Sequence, residues 1–267
     1  MFYTFSFIFG LVAGSFIGAY SYRLTKGISI KKGRSFCPKC KKKIVWYDNI
    51  PLVSYILLSG KCRKCKGKIS VRYPLIELST GLVFLFVALL WGEGLFVIPG
   101  GEFLKIKREM GMLSLPYLYV MFFLLIVMFI TDIEEKVIFD GNIFFLFLIA
   151  FLAVLLFFPR GMYVNMLSAL GGSSFLLLIH LATSGRGMGL GDVKLALPAG
   201  LILGWPGTLM WLYLSFVLGA LIGLLLILFK KAKFGKHIPF GPFLIISFVF
   251  VFVSGEALRN IIMVPLF

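Results

Sequence analysis

Two aspartates carry the side-chain chemistry that most narrowly limits what this chain can do. Asp132 follows the apolar run 117–130, and Asp192 follows the glycine-rich stretch 187–191. Ionisable side chains at membrane depth are costly and by default mark a functional site. Two carboxyl groups brought together can share one proton, so that one acts as a base while the other acts as an acid. The pair therefore predicts acid–base chemistry of the kind that hydrolyses a bond.

The chain has eleven acidic residues, including these two aspartates. Simpler structural roles account for most of the others. Asp48 and Asp140 stand beside turn-forming residues, where capping a turn or a helix start is the expected role. Glu77 follows a basic loop, and a salt bridge with a base of that loop is its structural interpretation. The structural alternative for the two aspartates is an ion pair with a neighbouring base, Lys136 or Lys194.

The elements that must position these aspartates are apolar helices. The chain has 267 residues, 60% of them hydrophobic, with a mean hydropathy of +1.01. This predicts an all-α polytopic membrane protein with about eight transmembrane helices. The segment 193–203 is short and contains Pro198, which is typical of a broken or partly re-entrant helix. The predicted segments are 5–22, 74–91, 116–130, 143–158, 164–182, 193–203, 209–229 and 240–254.

The first segment is expected to stay in the protein as an anchor. It has no basic stretch before its apolar run and no Ala-x-Ala-like cleavage site after it, unlike a signal peptide. Gly10, Gly14 and Gly18 lie on one face of this segment. Small residues at this spacing allow the close approach of a neighbouring helix.

Positive charge sets the expected orientation. The net charge is +16, and residues 23–72 hold fifteen of the 27 Lys and Arg residues but only one acid. Loops rich in Lys and Arg remain in the cytoplasm and attract anionic lipid; nucleic-acid binding by this patch is the alternative. With eight crossings, this loop, both aspartates and the basic cluster 230–236 all face the cytoplasm. The near-neutral linker 92–115 then faces the other side.

Four cysteines in the basic loop predict a metal site. Cys37 and Cys40 form one Cys-x-x-Cys pair, and Cys62 and Cys65 form a second after 21 intervening residues. Two such pairs can close a tetrahedral thiolate site around a structural Zn²⁺. Two disulfides or a redox pair are the alternatives, and the cytoplasmic placement argues against disulfides. Zinc would fold a zinc-ribbon-like loop that is too small to have its own core.

An ordered set of short motifs resembles the type IV prepilin peptidases, which are membrane aspartic proteases of the Gly-x-Gly-Asp class. The resemblance covers nearly the whole chain and includes both cysteine pairs and Asp132. The further motifs are Gly14-Ser15-Phe16, Tyr22-Arg23-Leu24, Asn49-Ile50-Pro51, Gly60-Lys61-Cys62, Arg72-Tyr73-Pro74-Leu75-Ile76-Glu77, Gly189-Leu190-Gly191-Asp192-Val193-Lys194 and Ile238-Pro239-Phe240-Gly241-Pro242.

The resemblance implies that Asp132 and Asp192 are a catalytic dyad. The implied substrates are prepilin or pseudopilin precursors, which carry a short basic leader before an apolar helix. The cut would follow a glycine at the cytoplasmic face of the bacterial inner membrane. The motifs also imply supporting roles for Gly189, Gly191, Lys194 and Glu77.

The resemblance further implies that the new N-terminus is methylated with S-adenosylmethionine as the methyl donor. Gly60 and Lys61 match the family within the cysteine-bearing loop that is associated with this activity. No Rossmann-like donor site is recognisable, so the prediction depends on the resemblance alone.

These expectations divide the chain into three parts: a first transmembrane helix (1–24), a cytoplasmic zinc-binding loop domain with the four cysteines (25–73) and a transmembrane peptidase bundle (74–267). Membrane lipids are expected partners, and nucleic acid is not. The competing hypothesis is a non-enzymatic membrane scaffold whose zinc loop docks a cytoplasmic partner. The sequence leaves open the identity of the precursor and the oligomeric state.

Overall fold

The computed structural model describes residues 1–29, 35–92, 102–229 and 239–263, with side chains described up to residue 255. Within these ranges the chain is helical and forms no strand beyond two isolated β-bridges in the cysteine loop. The predicted all-α polytopic class is therefore confirmed. The helices are α1 (Phe2–Thr25), α2 (Val53–Leu57), α3 (Arg72–Gly92), α4 (Glu102–Met110), α5 (Ser114–Glu135), α6 (Asp140–Phe157), α7 (Met162–Ala182), α8 (Leu190–Leu228) and α9 (Gly241–Met263).

Several helices of the described chain are long enough to span a membrane. Six helical stretches are long and apolar enough to cross a bilayer, and a shorter apolar helix, Gly241–Gly255, adds to them. The helix α8 has 39 residues, which would extend about 58 Å if straight, against about 30 Å for the hydrocarbon core. It is not straight, because Gly204 (φ 58°, ψ −164°) and Trp205 (φ −95°, ψ 137°) leave the helical region.

The part of α8 before this break runs antiparallel to α7. The Ser173 hydroxyl donates to the Val193 carbonyl oxygen (3.0 Å), and the Asn165 side-chain amide donates to the Leu201 carbonyl oxygen (2.9 Å). Residue numbers thus rise along α8 while they fall along α7.

The part of α8 after the break runs back along the same helix. Thr208 packs against Gly172, and the ring centroids of Phe216 and Phe175 lie 6.2 Å apart. Numbers now rise together along both helices. The two parts of α8 therefore form a helical hairpin, and they correspond to the separately predicted segments 193–203 and 209–229.

The chain divides into two compact units, each described by itself. The first comprises the described residues of Met1–Phe96 and Leu118–Val127. In it, α1 and α3 pack backbone to backbone: a Cβ at Gly10 would lie 2.8 Å from Gly81 Cα, and one at Gly14 would lie 2.7 Å from Glu77 Cα. The predicted close approach at these glycines is confirmed.

The second unit comprises the described residues of Val97–Tyr117 and Met128–Phe267. Its core is built on α8. A Cβ at Gly200 would lie 2.5 Å from Ala169 Cα in α7, and the Trp211 indole N–H donates to the Leu244 carbonyl oxygen in α9 (2.7 Å). Trp211 and Leu244 are fully buried, so this bond fixes α9 against α8 inside the unit.

Several local predictions were wrong. The helix α5 continues to Glu135, so Asp132 lies in its last turn and not beyond a helix that ends at residue 130. The linker predicted at 92–115 contains α4. Asp48 accepts hydrogen bonds from Arg63 (2.7 and 3.0 Å), and Asp140 lies inside the first turn of α6, where the N-cap residue is Phe139. The basic cluster 230–236 and Glu93 lie outside the described residues.

Candidate active site and metal centre

Asp132 lies at the end of α5 with its side chain 5% exposed. The helix ends three residues later, at Glu135, and the next residue, Lys136, adopts a left-handed conformation (φ 56°) while its N–H donates to the Asp132 carbonyl oxygen (2.9 Å). Within the described residues, the carboxylate oxygen Oδ2 is buried without a hydrogen-bond partner. Buried polar atoms normally have partners, so this oxygen makes Asp132 a candidate functional group.

Asp192 lies in the first turn of α8 and is 7% exposed. Gly189 is the N-cap residue, and its N–H donates to the Asp192 carboxylate oxygen Oδ2 (3.3 Å). The Asp192 side chain thus supplies one half of a capping box, which satisfies a backbone donor that the helix leaves free. The positive end of the helix dipole also favours a carboxylate at this position.

The ends of α5, α8 and α9 meet around Ile138. A Cβ at Gly191 would lie 3.2 Å from Ile138 Cβ, and one at Gly241 would lie 3.1 Å from Ile138 Cδ1 and 2.5 Å from Asp132 Oδ2. The backbone N–H of Gly241 interacts with the Asp132 carboxyl group. The charge of Asp132 in turn acts on Asp192. The second unit therefore brings the two aspartates into one buried site.

The neighbouring bases have roles other than a salt bridge with Asp192. Lys194 Nζ donates to both carboxylate oxygens of Asp140 (2.7 and 2.8 Å), which joins the start of α8 to the start of α6. Lys136 acts on Asp132 by its charge. The alternative of an ion pair between Asp192 and Lys194 is therefore wrong.

Glu77 lies in the first unit, where it fixes the cysteine loop to the helices. Its carboxylate accepts a hydrogen bond from the Leu52 N–H (2.8 Å) and one from the Ser15 side chain in α1. Glu77 is 9% exposed. The expected salt bridge with a loop base is replaced by these two neutral donors.

The four cysteines converge as a metal site requires. The sulfur atoms of Cys37, Cys40, Cys62 and Cys65 all lie within 4.8 Å of one another, and those of Cys37 and Cys65 are 3.9 Å apart. A tetrahedral Zn²⁺ with Zn–S bonds of about 2.3 Å needs sulfurs about 3.8 Å apart. The cluster therefore fits this ion with all four positions filled by protein.

Each cysteine pair is held by the same backbone turn. The Cys37 N–H donates to the Lys42 carbonyl oxygen, and the Cys62 N–H donates to the Gly67 carbonyl oxygen. Lys41 and Lys66 stand at equivalent positions and both have a positive φ (59° and 55°). The two halves of the loop are thus built alike, and their sequences also match at six of the eight positions of 37–44 and 62–69.

The thiols differ in how readily they lose a proton. Backbone hydrogen bonds from Cys65 and Lys64 lower the pKa of Cys62 to about 7. Although a backbone hydrogen bond from Gly67 opposes it, desolvation and the three neighbouring cysteines raise the pKa of Cys65 to about 11. The cluster thus accepts a first negative charge easily and resists further charge unless a cation neutralises it.

Gly60 and Lys61 lead into the second cysteine pair. Gly60 has φ +65°, and a Cβ there would lie 3.0 Å from the hydroxyl oxygen of Tyr55. The Lys61 N–H donates to the Leu58 carbonyl oxygen (3.0 Å), while its side chain is exposed. This geometry gives Gly60 a turn-forming role, and the two residues do not by themselves enclose a methyl-donor site.

Sequence reasoning missed three residues that shape the candidate site. Ile138 and Gly241 line it, and Asp140 holds Lys194 beside it. Gly241 was visible in the motif around Phe240, but its contact with a carboxylate 109 positions earlier depends on the fold. Ile138 stands between two other apolar residues, Val137 and Phe139, so nothing in the local sequence marked it as a residue of the site.

The chain matches family models over two long stretches. The model described as Bacterial Peptidase A24 N-terminal domain matches residues 8–91, and the one described as Type IV leader peptidase family matches residues 119–224. No solved structure matches the chain significantly.

Proteins named prepilin leader peptidase/N-methyltransferase are similar to the chain over most of its length. The relative from Bacillus subtilis is 30% identical, covering 94% of this chain and 94% of its own. The relative from Vibrio cholerae is 30% identical over 92% of this chain and 94% of its own. The relative from Neisseria gonorrhoeae is 31% identical over 94% of this chain and 90% of its own.

These matches show that the chain belongs to the type IV leader peptidase family. The family resemblance inferred from the short motifs is confirmed. Membership supports a function in type IV prepilin processing. Together with the apolar helices, it identifies a multi-pass protein of the inner membrane.

Proposed function

We propose that the chain is an aspartic endopeptidase in which Asp132 and Asp192 activate a water molecule. Its substrates are type IV prepilin-like precursors, cut after a glycine at the end of their short basic leader. The observation that supports this most directly is the unpartnered, buried Oδ2 of Asp132 in the same site as Asp192. A scaffold would gain nothing from an orphaned carboxylate oxygen, whose burial costs free energy.

In this mechanism one carboxylate removes a proton from a water that attacks the scissile carbonyl carbon. The other carboxyl group carries a proton and donates it to the developing oxyanion. Protonation belongs to the pair, so neither aspartate has a fixed role. The Gly189 N–H holds Asp192 in place, and the N–H of Gly241 interacts with Asp132.

The site is proposed to face the cytoplasm at the border of the membrane. The charge pattern supports this orientation, because the cysteine loop is strongly basic and the part of the chain around α4 is nearly neutral. A substrate with an apolar helix would reach a site at this depth laterally, with its leader remaining on the cytoplasmic side.

The same chain is proposed to methylate the N-terminus that cleavage exposes. The relatives' names support this second activity. S-adenosylmethionine, when bound, supplies an activated methyl group to the free amine. Residues 25–73 form the proposed cytoplasmic loop domain, in which the four cysteines hold a structural Zn²⁺.

The deciding experiment incubates the purified protein with a pilin-type precursor, with and without S-adenosylmethionine, and measures the product N-terminus by mass spectrometry. Asp132→Asn and Asp192→Asn should each lower cleavage by about a hundredfold or more. Glu135→Gln is the matched control, since it removes a carboxylate from an exposed position three residues from Asp132. Normal cleavage by either aspartate variant would refute the dyad.

A further inference from the structure

The cysteine loop presents an apolar surface that the peptidase proposal does not use. It is formed by Trp46, Ile50, Val53, Ile56 and Leu57 and is called here the loop apolar surface. Three of these side chains are almost fully exposed: Trp46 at 80%, Ile56 at 72% and Leu57 at 77%. Large apolar side chains exposed together on one short segment indicate an interaction surface, whereas single exposed ones do not.

Local hydrogen bonds hold this surface in a defined orientation. Ser54 is buried in α2, accepts a hydrogen bond from the Ile50 N–H (3.1 Å) and donates one to the Tyr47 carbonyl oxygen (2.7 Å). The polar side of α2 thus faces the preceding turn. Val53, Ile56 and Leu57 have the i, i+3, i+4 spacing of one helix face, and all three are exposed.

Positive charge surrounds the loop apolar surface. Lys41, Lys42 and Lys43 precede Trp46 by a few residues, and Lys61 and Arg63 follow α2 closely. Nine exposed Lys and Arg side chains lie within residues 35–71. The single acid there, Asp48, is already bound by Arg63. Even a Zn²⁺ ion with four thiolates would add a net charge of only about −2, so the loop stays strongly basic.

We propose that the loop apolar surface inserts into the interfacial layer of an anionic membrane, with the surrounding bases against the lipid headgroups. Amphipathic surfaces with this composition bind through buried apolar area together with attraction to anionic lipid. The membrane is within reach, because the loop begins at the end of α1 and ends at the start of α3, and both helices are candidate membrane spans. A basic precursor leader would be repelled by the same charges.

The inference is tested on the full-length protein in vesicles of phosphatidylcholine alone or mixed equally with phosphatidylglycerol. Trp46 is one of four tryptophans, so its emission is isolated by subtracting a Trp46→Phe variant. Lipids with brominated acyl chains should quench this emission by about half or more, and more strongly in the anionic vesicles. A photoactivatable phospholipid should also form adducts between Trp46 and Leu57.

The double variant Ile56→Ser/Leu57→Ser should reduce the Trp46 quenching by about twofold or more. The control Met112→Ser/Leu113→Ser removes two equally exposed apolar side chains elsewhere and should leave quenching unchanged. The proposal would be overturned if brominated lipid did not quench the Trp46 emission and no lipid adducts formed in the loop. A response to a single-stranded oligonucleotide in place of lipid would overturn it in favour of nucleic-acid binding.

This inference does not depend on the aspartate dyad. The cleavage-deficient Asp132→Asn variant should show the same Trp46 quenching as the unmodified protein. Failure of the membrane contact and failure of the peptidase proposal are therefore separate outcomes.

Discussion

Asp132 and Asp192 are buried to nearly the same extent, yet their oxygens have different surroundings. Asp192 accepts a backbone hydrogen bond at a helix N-terminus, where a negative charge is favoured. Asp132 lies at a helix C-terminus, where a negative charge is disfavoured, and the Gly241 N–H interacts with its carboxyl group although Oδ2 has no hydrogen-bond partner within the described chain. Two carboxyl groups in unlike environments can divide the roles of acid and base between them.

Gly241 offers a test of this arrangement without touching either aspartate. A Cβ at position 241 would lie 2.5 Å from Asp132 Oδ2, so Gly241→Ala should displace the carboxylate. Displacement of a reacting group by about 1 Å can cost about a hundredfold in rate. We expect precursor cleavage to fall by about tenfold or more, measured as initial rate in detergent solution.

Gly141→Ala is the matched control for that substitution. Gly141 also lies at the start of a helix, but a Cβ there would meet nothing within 4 Å. Its cleavage rate should stay near that of the unmodified protein. Equal rates for the two alanine variants would show that the position of the Asp132 carboxylate does not limit the reaction.

At this scale the sequence predicted the aspartates but not their contacts. The small number of acids made elimination effective, and the cost of a carboxylate at membrane depth singled out two of them. The contact of Gly241 with Asp132 joins residues 109 positions apart, and the Lys194–Asp140 ion pair joins residues 54 positions apart. Such pairings depend on how helix ends meet, which local patterns do not specify.

At the scale of elements, the candidate site is a junction of helix ends. The starts of α6 and α8 are joined by the Asp140–Lys194 ion pair, and the starts of α8 and α9 both pack on Ile138. The ion pair is largely exposed, so it adds about 1 kcal/mol at most to stability. Its effect is to align two helix starts that the apolar packing has already brought together.

The hairpin in α8 was predictable from its composition, whereas α4 was missed. A short apolar segment followed by a second one indicated two helices with a break between them. The predicted break inside 193–203 at Pro198 was wrong, because the chain leaves the helical region at Gly204 and Trp205. The linker containing α4 was interpreted by its charge alone. Its Phe103, Ile106 and Met110 have the i, i+3, i+7 spacing of an amphipathic helix and are all buried.

The packing of α7 against α8 predicts that alanine substitution at two glycines of α8 will change the stability of the protein to very different extents. A Cβ at Gly200 would lie 2.5 Å from the Ala169 Cα and 2.8 Å from its backbone nitrogen. Backbone atoms cannot move aside cheaply, so Gly200→Ala should destabilise the protein by about 1–3 kcal/mol. The measurement is the thermal unfolding midpoint in detergent.

Gly223→Ala serves as the comparison within α8, because a Cβ there would meet nothing within 4 Å. Its unfolding midpoint should be unchanged or slightly higher, since alanine favours the helix more than glycine does. If both alanine variants unfolded at the temperature of the unmodified protein, the tight α7–α8 contact would be disproved.

At the scale of the whole molecule, the apolar helices and the small basic loop are stabilised in different ways. The helices satisfy their backbone hydrogen bonds internally, as a membrane requires. The loop between α1 and α3 has few buried apolar side chains within its described residues, with Cys37 among the few. A loop of this kind needs another source of stability besides the Glu77–Leu52 hydrogen bond that anchors it to α3.

The sequence predicted a metal site as the source of stability for the loop, because the spacing of cysteines is a local property of the sequence. Two Cys-x-x-Cys pairs predict convergence regardless of the surrounding fold, and the sulfurs do converge. The orientation of the molecule in the membrane, by contrast, rests on the charge pattern alone and stays a prediction.

Removal of the metal should therefore unfold the loop while sparing the helices. We expect about one Zn²⁺ per chain, measured by elemental analysis, and its loss in Cys62→Ser, because binding to a tetrathiolate site is coupled to folding of the loop. Trypsin should then cleave rapidly among the exposed lysines of residues 39–68, while helicity measured by circular dichroism changes little. Asp132→Asn is the control and should retain both the zinc and the protection. A Cys62→Ser chain that resists trypsin as well as the unmodified protein would mean that the hydrogen bonds of the loop suffice without a metal.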